Sequence, residues 1–454
     1  MAEEPNNPHI PGNWHGPLSL GPVKEVMRFV KDCDDYTKEL RHKHGAAVFK
    51  GHPGIKSTFI TDMAGLEFVF AAAPEELDRL DDEEAGFGGL SFNRQMLNGV
   101  VPALMTHAAT HGPARALIVE AVKLRRDKFI PACQKVHDYG IPMLREPPRG
   151  VGVDLQQALH HAAAGVCFEW LFDLAPGPDG AELQSWLKGC FGMKSDQPVS
   201  DVFARKLSRM KNGPTSAHKA FSDKQLAAVR HCAPYNSYVE IANRVGMPEA
   251  DVAAHLLFAA AFNATGGTWT TLFPGLAQLS VDLVTRERLA AELRGFSGSL
   301  WDLNKLPFFE DFFLEVTRLF GRPRHYYRRA KVDLAIPTSH GESVGVKPGT
   351  TLCLVATVAR QDRMVWGDDA SVFDPERYTR RPELRAKVYP FGPPPGARNE
   401  YGCAGAQNGM ASILWKSLAA TCARSLDWRL DPWPEPDVDA FEGVVPATLK
   451  WVRI

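Results

Sequence analysis

The sequence predicts a mainly α-helical protein with small β-sheets and a long buried central helix. Three observations support this prediction. The middle of the chain reads mainly as helix, because apolar residues recur there at helical spacing. The segment from His255 to Phe262 is apolar on every face, which is typical of a helix buried on all sides. Short β-like segments occur near the start, and again between Val332 and Val358.

Composition narrows the classes of function. Of the 454 residues, 44% are hydrophobic and 23% are charged, which suits a globular protein and excludes wholesale disorder. The net charge of −1 gives no reason to expect nucleic-acid binding. The start of the chain shows neither the apolar run of a signal peptide nor that of a membrane anchor. We therefore expect a soluble, cytoplasmic protein, with peripheral contact to a membrane surface left open.

Eight scattered cysteines form no C-x-x-C pair, which argues against a zinc ribbon or a dithiol motif. Cys403 differs from the others, because a stiff loop rich in proline and glycine precedes it and a helix-compatible run to Ala420 follows. A thiolate at a helix N-terminus is stabilised by unpaired backbone N–H groups and by the helix dipole. Cys403 followed by Ala404 and Gly405 is what an axial haem thiolate requires. The alternative is a buried structural cysteine.

A second motif is Glu315 and Arg318 within the helical segment "FFEDFFLEVTRLFGRP". Residues three apart share a helix face, so the two side chains can form a buried pair. The same E-x-x-R spacing occurs at Glu76–Arg79 and Glu146–Arg149, which we interpret as chance matches because they lack an apolar helical context.

Two further motifs complete a set that runs along the chain. The turn "FDPERY" contains Arg377, and His111 and Arg115 lie four residues apart at a predicted helix start, where two donors could hold carboxylates. The alternative for the second motif is an ordinary charged helix start. In chain order, the motifs resemble the cytochrome P450 superfamily across almost the whole sequence. The resemblance implies one haem-thiolate domain spanning 1–454, with the central helix lying over haem b.

The resemblance also implies a role for each motif residue. Cys403 would be the proximal ligand of the haem iron, with Gly405 beside it. Three residues would contact the haem: His111, Arg115 and Arg329. Three more would form a structural triad: Glu315, Arg318 and Arg377.

The cysteine loop departs from the superfamily pattern F-x-x-G-x-R-x-C-x-G. The positions seven, four and two before Cys403 hold other residues: Gly396, Asn399 and Tyr401. Phe391 and Arg398 lie at other offsets, which leaves the role of Arg398 open.

The central helix departs in a second way. Monooxygenases of the superfamily usually carry an acid–threonine pair there, whereas here Ala264 precedes Thr265, so the proton relay is incomplete. Asn263 would face the haem, where a neutral amide can hydrogen-bond a peroxide without supplying protons. The alternative is a buried asparagine bonded to backbone. The run resembles the fatty-acid-hydroperoxide branch, which contains allene oxide synthases, hydroperoxide lyases, divinyl ether synthases and epoxyalcohol synthases.

This branch implies an enzyme that rearranges polyunsaturated fatty acid hydroperoxides by homolytic O–O cleavage, without dioxygen or a reductase. Cyclisation of the alkoxyl radical leads to an allene oxide or an epoxyalcohol, and carbon–carbon scission gives the lyase product. Phe87 matches the pocket aromatic of allene oxide synthases, which favours a dehydratase or isomerase over a lyase, although core packing is the alternative. Together with Thr265 and Asn263, Phe87 is a candidate catalytic residue. An apolar pocket that suits a lipid chain is expected around four residues: Phe87, Phe92, Leu104 and Phe262.

Three other functions stay open. Thr265 would also suit a conventional monooxygenase fed by a separate electron donor. A non-catalytic haem sensor or carrier is the second alternative. The third is a peroxygenase using hydrogen peroxide, which would place an arginine or a substrate carboxylate where this chain has Asn263. The hydroperoxide regioisomer, the product and the oligomeric state are not determined by the sequence.

Overall fold

The computed structural model describes residues 25, 27–29, 33–51, 57–80, 94–102, 108–135, 150–191, 213–393, 403, 405, 409–438 and 443–454. Several residues singled out above lie outside this part of the chain: Phe87, Phe92, Leu104, Gly396, Arg398, Asn399 and Tyr401. Their proposed roles stay predictions.

Helices dominate the described chain, as the sequence predicts. In chain order the α-helices are α1 (Cys33–His44), α2 (Met63–Ala71), α3 (Ala108–Leu124), α4 (Arg126–Gln134), α5 (Leu155–Phe172), α6 (Gly180–Phe191), α7 (Ser216–Arg230), α8 (Tyr235–Val245), α9 (Glu249–Phe258), α10 (Gly267–Val281), α11 (Leu283–Arg294), α12 (Pro307–Phe320), α13 (Ala356–Ala359), α14 (Arg363–Trp366), α15 (Arg377–Arg380) and α16 (Met410–Ala423). A π-helical segment, Ala259–Gly266, joins α9 to α10, and 3₁₀ turns span Leu300–Lys305 and Pro382–Lys387.

The β-structure is confined to small sheets. The strands are β1 (Val48–Lys50), β2 (Thr58–Ile60), β3 (Leu77–Arg79), β4 (Val153–Asp154), β5 (His325–Ala330), β6 (Leu334–Pro337), β7 (Ser343–Val346), β8 (Thr351–Val355), β9 (Trp428–Asp431), β10 (Glu435–Pro436), β11 (Val444–Val445) and β12 (Lys450–Arg453). The largest sheet has the order β1-β2-β8-β5-β3, in which β2 and β8 are parallel and the other pairs are antiparallel. Smaller sheets pair β6 with β7, β10 with β11, and β4 and β9 with β12.

The main hydrophobic core lies between helices. It joins α5, α9, α10, α12 and α16, so the central helix is packed on most sides by other helices. Two smaller clusters lie against the large sheet, one beneath α2 and one beneath α1. In the described part of the chain no single helix is long and apolar enough to cross a membrane; only the bent pair formed by Tyr235–Val245 and Glu249–Val281 has the length and composition to do so.

Several predicted elements are confirmed and others need correction. Helices α5 and α12 and strands β1, β2 and β8 lie where the sequence predicts them, whereas β3, β4, β5 and β9 to β12 were not predicted. The sequence from Arg115 to Gln134 reads as helix throughout, but the structure divides it into α3 and α4 at Arg125. The division has a physical cause: Arg125 Nε donates to the Trp170 carbonyl at 2.9 Å, and Trp170 Nε1 donates to the Arg125 carbonyl at 2.8 Å. The Arg125 backbone N–H still donates to the Ala121 carbonyl at 3.1 Å, but the Arg125 carbonyl accepts from the Trp170 indole and from the Lys128 N–H at 3.0 Å, a three-residue step that tightens the chain at this point.

Candidate functional site

The central helix runs from Glu249 to Val281 and changes its hydrogen-bonding pattern at the π-helical segment. The Thr265 side chain lies in this segment and is fully buried. Its hydroxyl donates to the Ala260 carbonyl at 2.9 Å and also contacts the Cys167 thiol of α5. Burial raises the pKa of Cys167 to about 12, while the Thr265 hydrogen bond acts in the opposite direction. Both partners of Thr265 belong to the packing between helices.

Asn263 is less buried than Thr265. The residue as a whole is partly exposed, but its Oδ1 atom is buried and has no hydrogen-bond partner among the described groups. Gly267, one turn further on, is exposed, and a Cβ atom added there would meet no heavy atom within 4 Å. A buried polar atom that makes no hydrogen bond is costly, so native sites that contain one usually bind a ligand or water there. Gly267 therefore leaves open space beside the helix, one turn from Asn263.

Cys403 lies in an exposed loop, whereas the other described cysteines are buried or half-buried. Its backbone N–H donates to the Phe391 carbonyl at 3.1 Å, and the Phe391 ring packs against Phe313 of α12. Phe391 therefore supports the cysteine loop although its position in the sequence departs from the superfamily pattern.

The sequence places the helix start too close to Cys403. Helix α16 begins at Met410, because Gly409 before it has a φ of +68°, a left-handed conformation that interrupts the helix. The loop nevertheless returns to the first turn of α16. A Cβ atom added at Gly405 would lie 3.9 Å from Cys403 Sγ and 3.7 Å from the backbone nitrogen of Ala411.

Glu315, Arg318 and Arg377 come together in the core, as the motifs predict. Arg318 donates to both oxygens of Glu315 at 2.8 and 2.7 Å, and both side chains are fully buried. Arg377 Nε lies 3.6 Å from Glu315 Oε1. Tyr378 Oη donates to the same carboxylate at 3.0 Å, and burial raises the pKa of this phenol well above its usual value. The buried charges are thus paired and hydrogen-bonded, as burial of charge requires.

The two arginines also hold the segment between α13 and α15. Arg318 Nη1 donates to the carbonyls of Arg360 and Ala370 at 3.0 and 2.6 Å. Arg377 donates to the carbonyl oxygens of Trp366, Asp369 and Val372 at 3.0 to 3.2 Å. The chain leading from the large sheet toward the cysteine loop is therefore fastened to α12.

A second group of cationic side chains lies where β3, β5 and α3 meet. His111 and Arg115 lie one turn apart in α3, with His111 buried and Arg115 half-buried. Arg79 of β3 approaches the His111 ring, with Nη1 2.7 Å from Nδ1. Arg328 of β5 is opposite Arg79 in the sheet register and is also buried. Burial raises the pKa of the nearby Tyr326, and the charges of Arg360, Arg328 and Arg79 act to lower it.

The sequence analysis missed Arg79 and Arg328. Arg79 stands in the segment Glu76–Arg79, which forms a turn and strand β3 and so is not a helical E-x-x-R pair. Its importance comes from the pairing of β3 with β5, which a single sequence does not reveal. Arg329, the predicted residue, is half-buried and pairs with Asp78, so it alternates with Arg328 along β5 and points to the other face of the sheet.

These residues fit a flat cofactor that carries carboxylates. Buried guanidinium groups near His111 can bind carboxylates, the exposed Cys403 thiol can bind a metal, and the face at Asn263 and Gly267 leaves space beside the central helix. Helix α16, which follows the cysteine loop, packs against α10, which continues the central helix. The elements that bear the thiol and the amide are therefore neighbours in the fold.

Comparisons with known proteins agree with this description. No family model matches the chain. It is 27% identical to a mitochondrial hydroperoxide bicyclase of Ectocarpus siliculosus, over 100% of this chain and 92% of the relative. It is 25% identical to an epoxyalcohol synthase of the same organism, over 98% and 97%. A mitochondrial hydroperoxide bicyclase of Plasmodiophora brassicae is 28% identical, over 92% and 78%.

The fold has a counterpart among solved structures. A zebrafish cytochrome P450 solved with progesterone superposes with a TM-score of 0.66, at 16% identity, over 94% of this chain and 99% of that one. At this identity the likeness concerns the fold alone.

The cytoplasmic location expected from the start of the sequence is wrong. Two of the relatives that match along most of this chain are named as mitochondrial. The expectation rested on the lack of an apolar run, and the signal-peptide pattern we looked for does not detect mitochondrial targeting segments, which are amphipathic.

The motifs, the helical fold and the relatives that align along most of the chain agree with one another. The chain resembles the cytochrome P450 superfamily, whose cofactor is haem, and within it the hydroperoxide-metabolising branch.

Proposed function

We propose that this enzyme rearranges polyunsaturated fatty acid hydroperoxides without dioxygen or a reductase. Three relatives that align with 92–100% of this chain are named hydroperoxide bicyclase or epoxyalcohol synthase. Among product types, we favour an allene oxide or an epoxyalcohol over the lyase product.

One observation carries the proposal: the π-helical segment offers the amide of Asn263 and has no acid beside Thr265. Among the described groups Asn263 Oδ1 has no hydrogen-bond partner, Ala264 holds the position of the usual acid, and the Thr265 hydroxyl is bonded to Ala260. A site that activates dioxygen must deliver protons to it, whereas a hydroperoxide arrives already reduced. The arrangement of these side chains therefore suits a substrate that brings its own O–O bond.

The cofactor would be held from two sides. Cys403 would ligate the iron, with Gly405 leaving room beside the sulfur, and the cations of α3, β3 and β5 would bind the carboxylates. These side chains are His111, Arg115, Arg79 and Arg328, whereas the predicted Arg329 lies on the other face of β5. When bound, haem supplies an iron centre with a thiolate ligand that cleaves the O–O bond of the substrate.

The protein residues position the reaction. Asn263 would hydrogen-bond the peroxide oxygen next to the chain, which orients the O–O bond without protonating it. Apolar side chains such as Phe262 would exclude water and hold the lipid chain. Glu315, Arg318 and Arg377 would act at a distance, by fixing the segment that leads to the cysteine loop.

The decisive experiment mixes the purified ferric protein with a fatty acid hydroperoxide and no reductant. We expect rapid loss of the conjugated-diene absorbance, with an epoxyalcohol or the hydrolysis products of an allene oxide. Short-chain aldehydes would assign the lyase reaction instead. No turnover without reductant, but product formation with an electron donor and dioxygen, would establish the conventional monooxygenase for which Thr265 leaves room.

We also infer a mitochondrial location, on the basis of the names of two relatives. Fractionation of cells expressing the tagged full-length protein would test it. Recovery with a mitochondrial matrix or membrane marker is expected, and recovery with a cytosolic marker would contradict it.

A further inference from the structure

Five residues of the central helix that are spaced four apart retain some exposure. Asp251 and Asn263 are partly exposed, Gly267 is exposed, and His255 and Ala259 retain 6% and 8% exposure. By contrast, the neighbours of His255 from Val252 to Leu257 are at most 2% exposed. These five residues, each four apart, are here called the accessible stripe.

The π-helical segment keeps this stripe on one face. In an α-helix each four-residue step overshoots one turn by about 40°. A π-helix has more residues per turn, so the same step falls short of a full turn and reverses the drift. Because Ala259–Gly266 is π-helical, Asn263 returns to the face of His255 rather than rotating away from it.

Like Asn263, His255 has a buried side-chain atom that lacks a hydrogen-bond partner. Its Nδ1 makes no hydrogen bond in the described structure. His160, within α5, bonds Nδ1 to the Gln156 carbonyl four residues before it at 2.6 Å, and His231, directly after α7, bonds Nδ1 to the Ala227 carbonyl at 2.7 Å. His255 therefore leaves open a bond that a helix can satisfy internally, so its Nδ1 can form a hydrogen bond to a ligand.

The distance along the stripe suits a lipid with two polar groups. His255 and Asn263 are eight residues apart, roughly 12 Å at 1.5 Å per residue, with the small Ala259 between them. A fatty acid hydroperoxide carries a hydroperoxide and a carboxyl group joined by an apolar chain of comparable reach.

The charges near His255 specify how such a carboxyl group can bind. Burial lowers the pKa of the imidazole to about 4, so it is neutral at physiological pH, while Asp251 one turn away acts to raise it. Among the described groups of α3, α7 and α8, which pack on α9, none contributes a further charge effect on this ring. A bare carboxylate would meet a neutral ring and the like charge of Asp251, whereas a carboxyl group accompanied by one proton would form a neutral hydrogen-bonded pair or an ion pair.

We propose that His255 binds the carboxyl group of the substrate together with one proton, while the hydroperoxide reaches Asn263. This makes His255 a specificity-determining residue, and it rests on the proposed function for the identity of the substrate. Esterified hydroperoxides would lose the proton-linked part of this recognition.

The test compares binding of a free acid with that of its methyl ester. The probe is the hydroxy fatty acid that corresponds to the hydroperoxide, which binds without reacting, titrated into the haem-loaded protein. We expect His255→Leu to weaken binding of the free acid about tenfold, the loss of one buried hydrogen bond, and to change binding of the ester less than about twofold. His255→Gln should recover part of the affinity, and His231→Leu, at an exposed position directly after α7, should change the binding of neither ligand.

Wild-type protein provides a test that needs no variant. Affinity for the free acid should fall with rising pH, because a proton must accompany the carboxyl group, and affinity for the ester should stay constant. Asp251→Asn should reduce the fall. Equal effects of His255→Leu on acid and ester, or a pH-independent affinity for the acid, would overturn the proposal. Selective binding of the acid without turnover of any hydroperoxide would overturn the proposed function and leave this inference standing.

Discussion

Cys403 is the exposed cysteine among those described, and its loop returns to the first turn of α16 through Gly405. We therefore expect Cys403→Ala to abolish the absorption signature of a haem thiolate and to lower the haem content, because none of the other cysteines whose side chains the structure describes is exposed. Absorption spectra of the reduced carbon monoxide complex measure this. Cys33→Ala, at a half-buried cysteine, is the control and should leave the spectrum unchanged. A retained thiolate spectrum in Cys403→Ala would reject the assignment.

Substitution of Asn263 should affect catalysis but not cofactor binding. Its Oδ1 makes no hydrogen bond within the described protein, so Asn263→Ala should leave stability and haem content unchanged. The rate of hydroperoxide consumption should fall about tenfold or more, because one transition-state hydrogen bond is lost. The control is Asn243→Ala at an exposed position of α8. If activity and haem content fell together, Asn263 would be a structural residue.

At the scale of elements, the Glu315 carboxylate joins α12 to the segment before α15. Glu315→Ala would leave Arg318 buried without its charge partner, and we expect a loss of about 3–5 kcal/mol in the free energy of unfolding. Urea unfolding of the haem-loaded protein measures it. Glu376→Ala removes an exposed ion pair with Arg288 and should cost less than about 1 kcal/mol. Comparable losses in the two variants would contradict a triad that holds these elements together.

Gly267 and Gly275 lie in the same helix, α10, but in opposite surroundings. A Cβ atom at Gly267 meets open space, so Gly267→Ala should stabilise the protein by about 0.5–1 kcal/mol. The same substitution should weaken substrate binding, because the methyl group enters the space beside the helix that we assign to the substrate. At Gly275 the added atom would lie 3.2 Å from Val316, so Gly275→Ala should be destabilising by about 1–3 kcal/mol. Thermal unfolding and ligand titration measure both. Stabilisation at Gly267 without weaker binding would place the substrate elsewhere.

Local patterns in the sequence predict some elements well and others not at all. Glu315 and Arg318 were identified because helical spacing alone brings them together. Arg79 was overlooked because its position depends on the pairing of β3 with β5, a long-range contact. The π-helical segment has no residue signature of its own, so the alignment of His255 with Asn263 could not be read from an α-helical wheel. The start of α16 depends on the left-handed conformation of Gly409, which composition alone does not specify.

At the scale of the whole molecule, we propose that residues 1–454 form a single haem-binding domain. Val365 packs against both the helical core and the cluster beneath α2, which joins the two hydrophobic regions. The buried Asp34 of α1 accepts hydrogen bonds from His325 of β5 and Thr357 of α13 at 2.8 and 2.6 Å, and it is also paired with Arg324. Polar and apolar contacts thus connect the first described helix to the later sheet strands.

The pH dependence of stability should reflect two buried histidines. Burial lowers the pKa of His160 to about 3 and that of His255 to about 4, whereas in the unfolded chain both have a pKa near 6.5. Below about pH 6.5 the unfolded chain therefore binds protons that the folded protein does not. The stability from these histidines is fully present above pH 6.5 and is lost as the pH falls toward 4 and then 3. Each should contribute a slope of about 1.4 kcal/mol per pH unit in that range.

His160→Gln isolates one of the two contributions, since His160 lies in α5 and its ring packs against Trp269 rather than on the accessible stripe. Unfolding by urea at several values between pH 7 and pH 5 should give a variant whose stability falls by about 1 kcal/mol per pH unit less than that of the wild type on average, because the unfolded imidazole is only partly protonated above pH 6, whatever the variant's stability at pH 7. The carboxylate of Asp34 does not interfere, because its pKa is held below the usual value by Arg324 and His325 against the cost of burial, and it stays ionised throughout this window. If the free energy of unfolding varied equally with pH in the variant and the wild type, His160 would take up a proton in the folded protein. A charged imidazole would then be buried between α5 and the central helix.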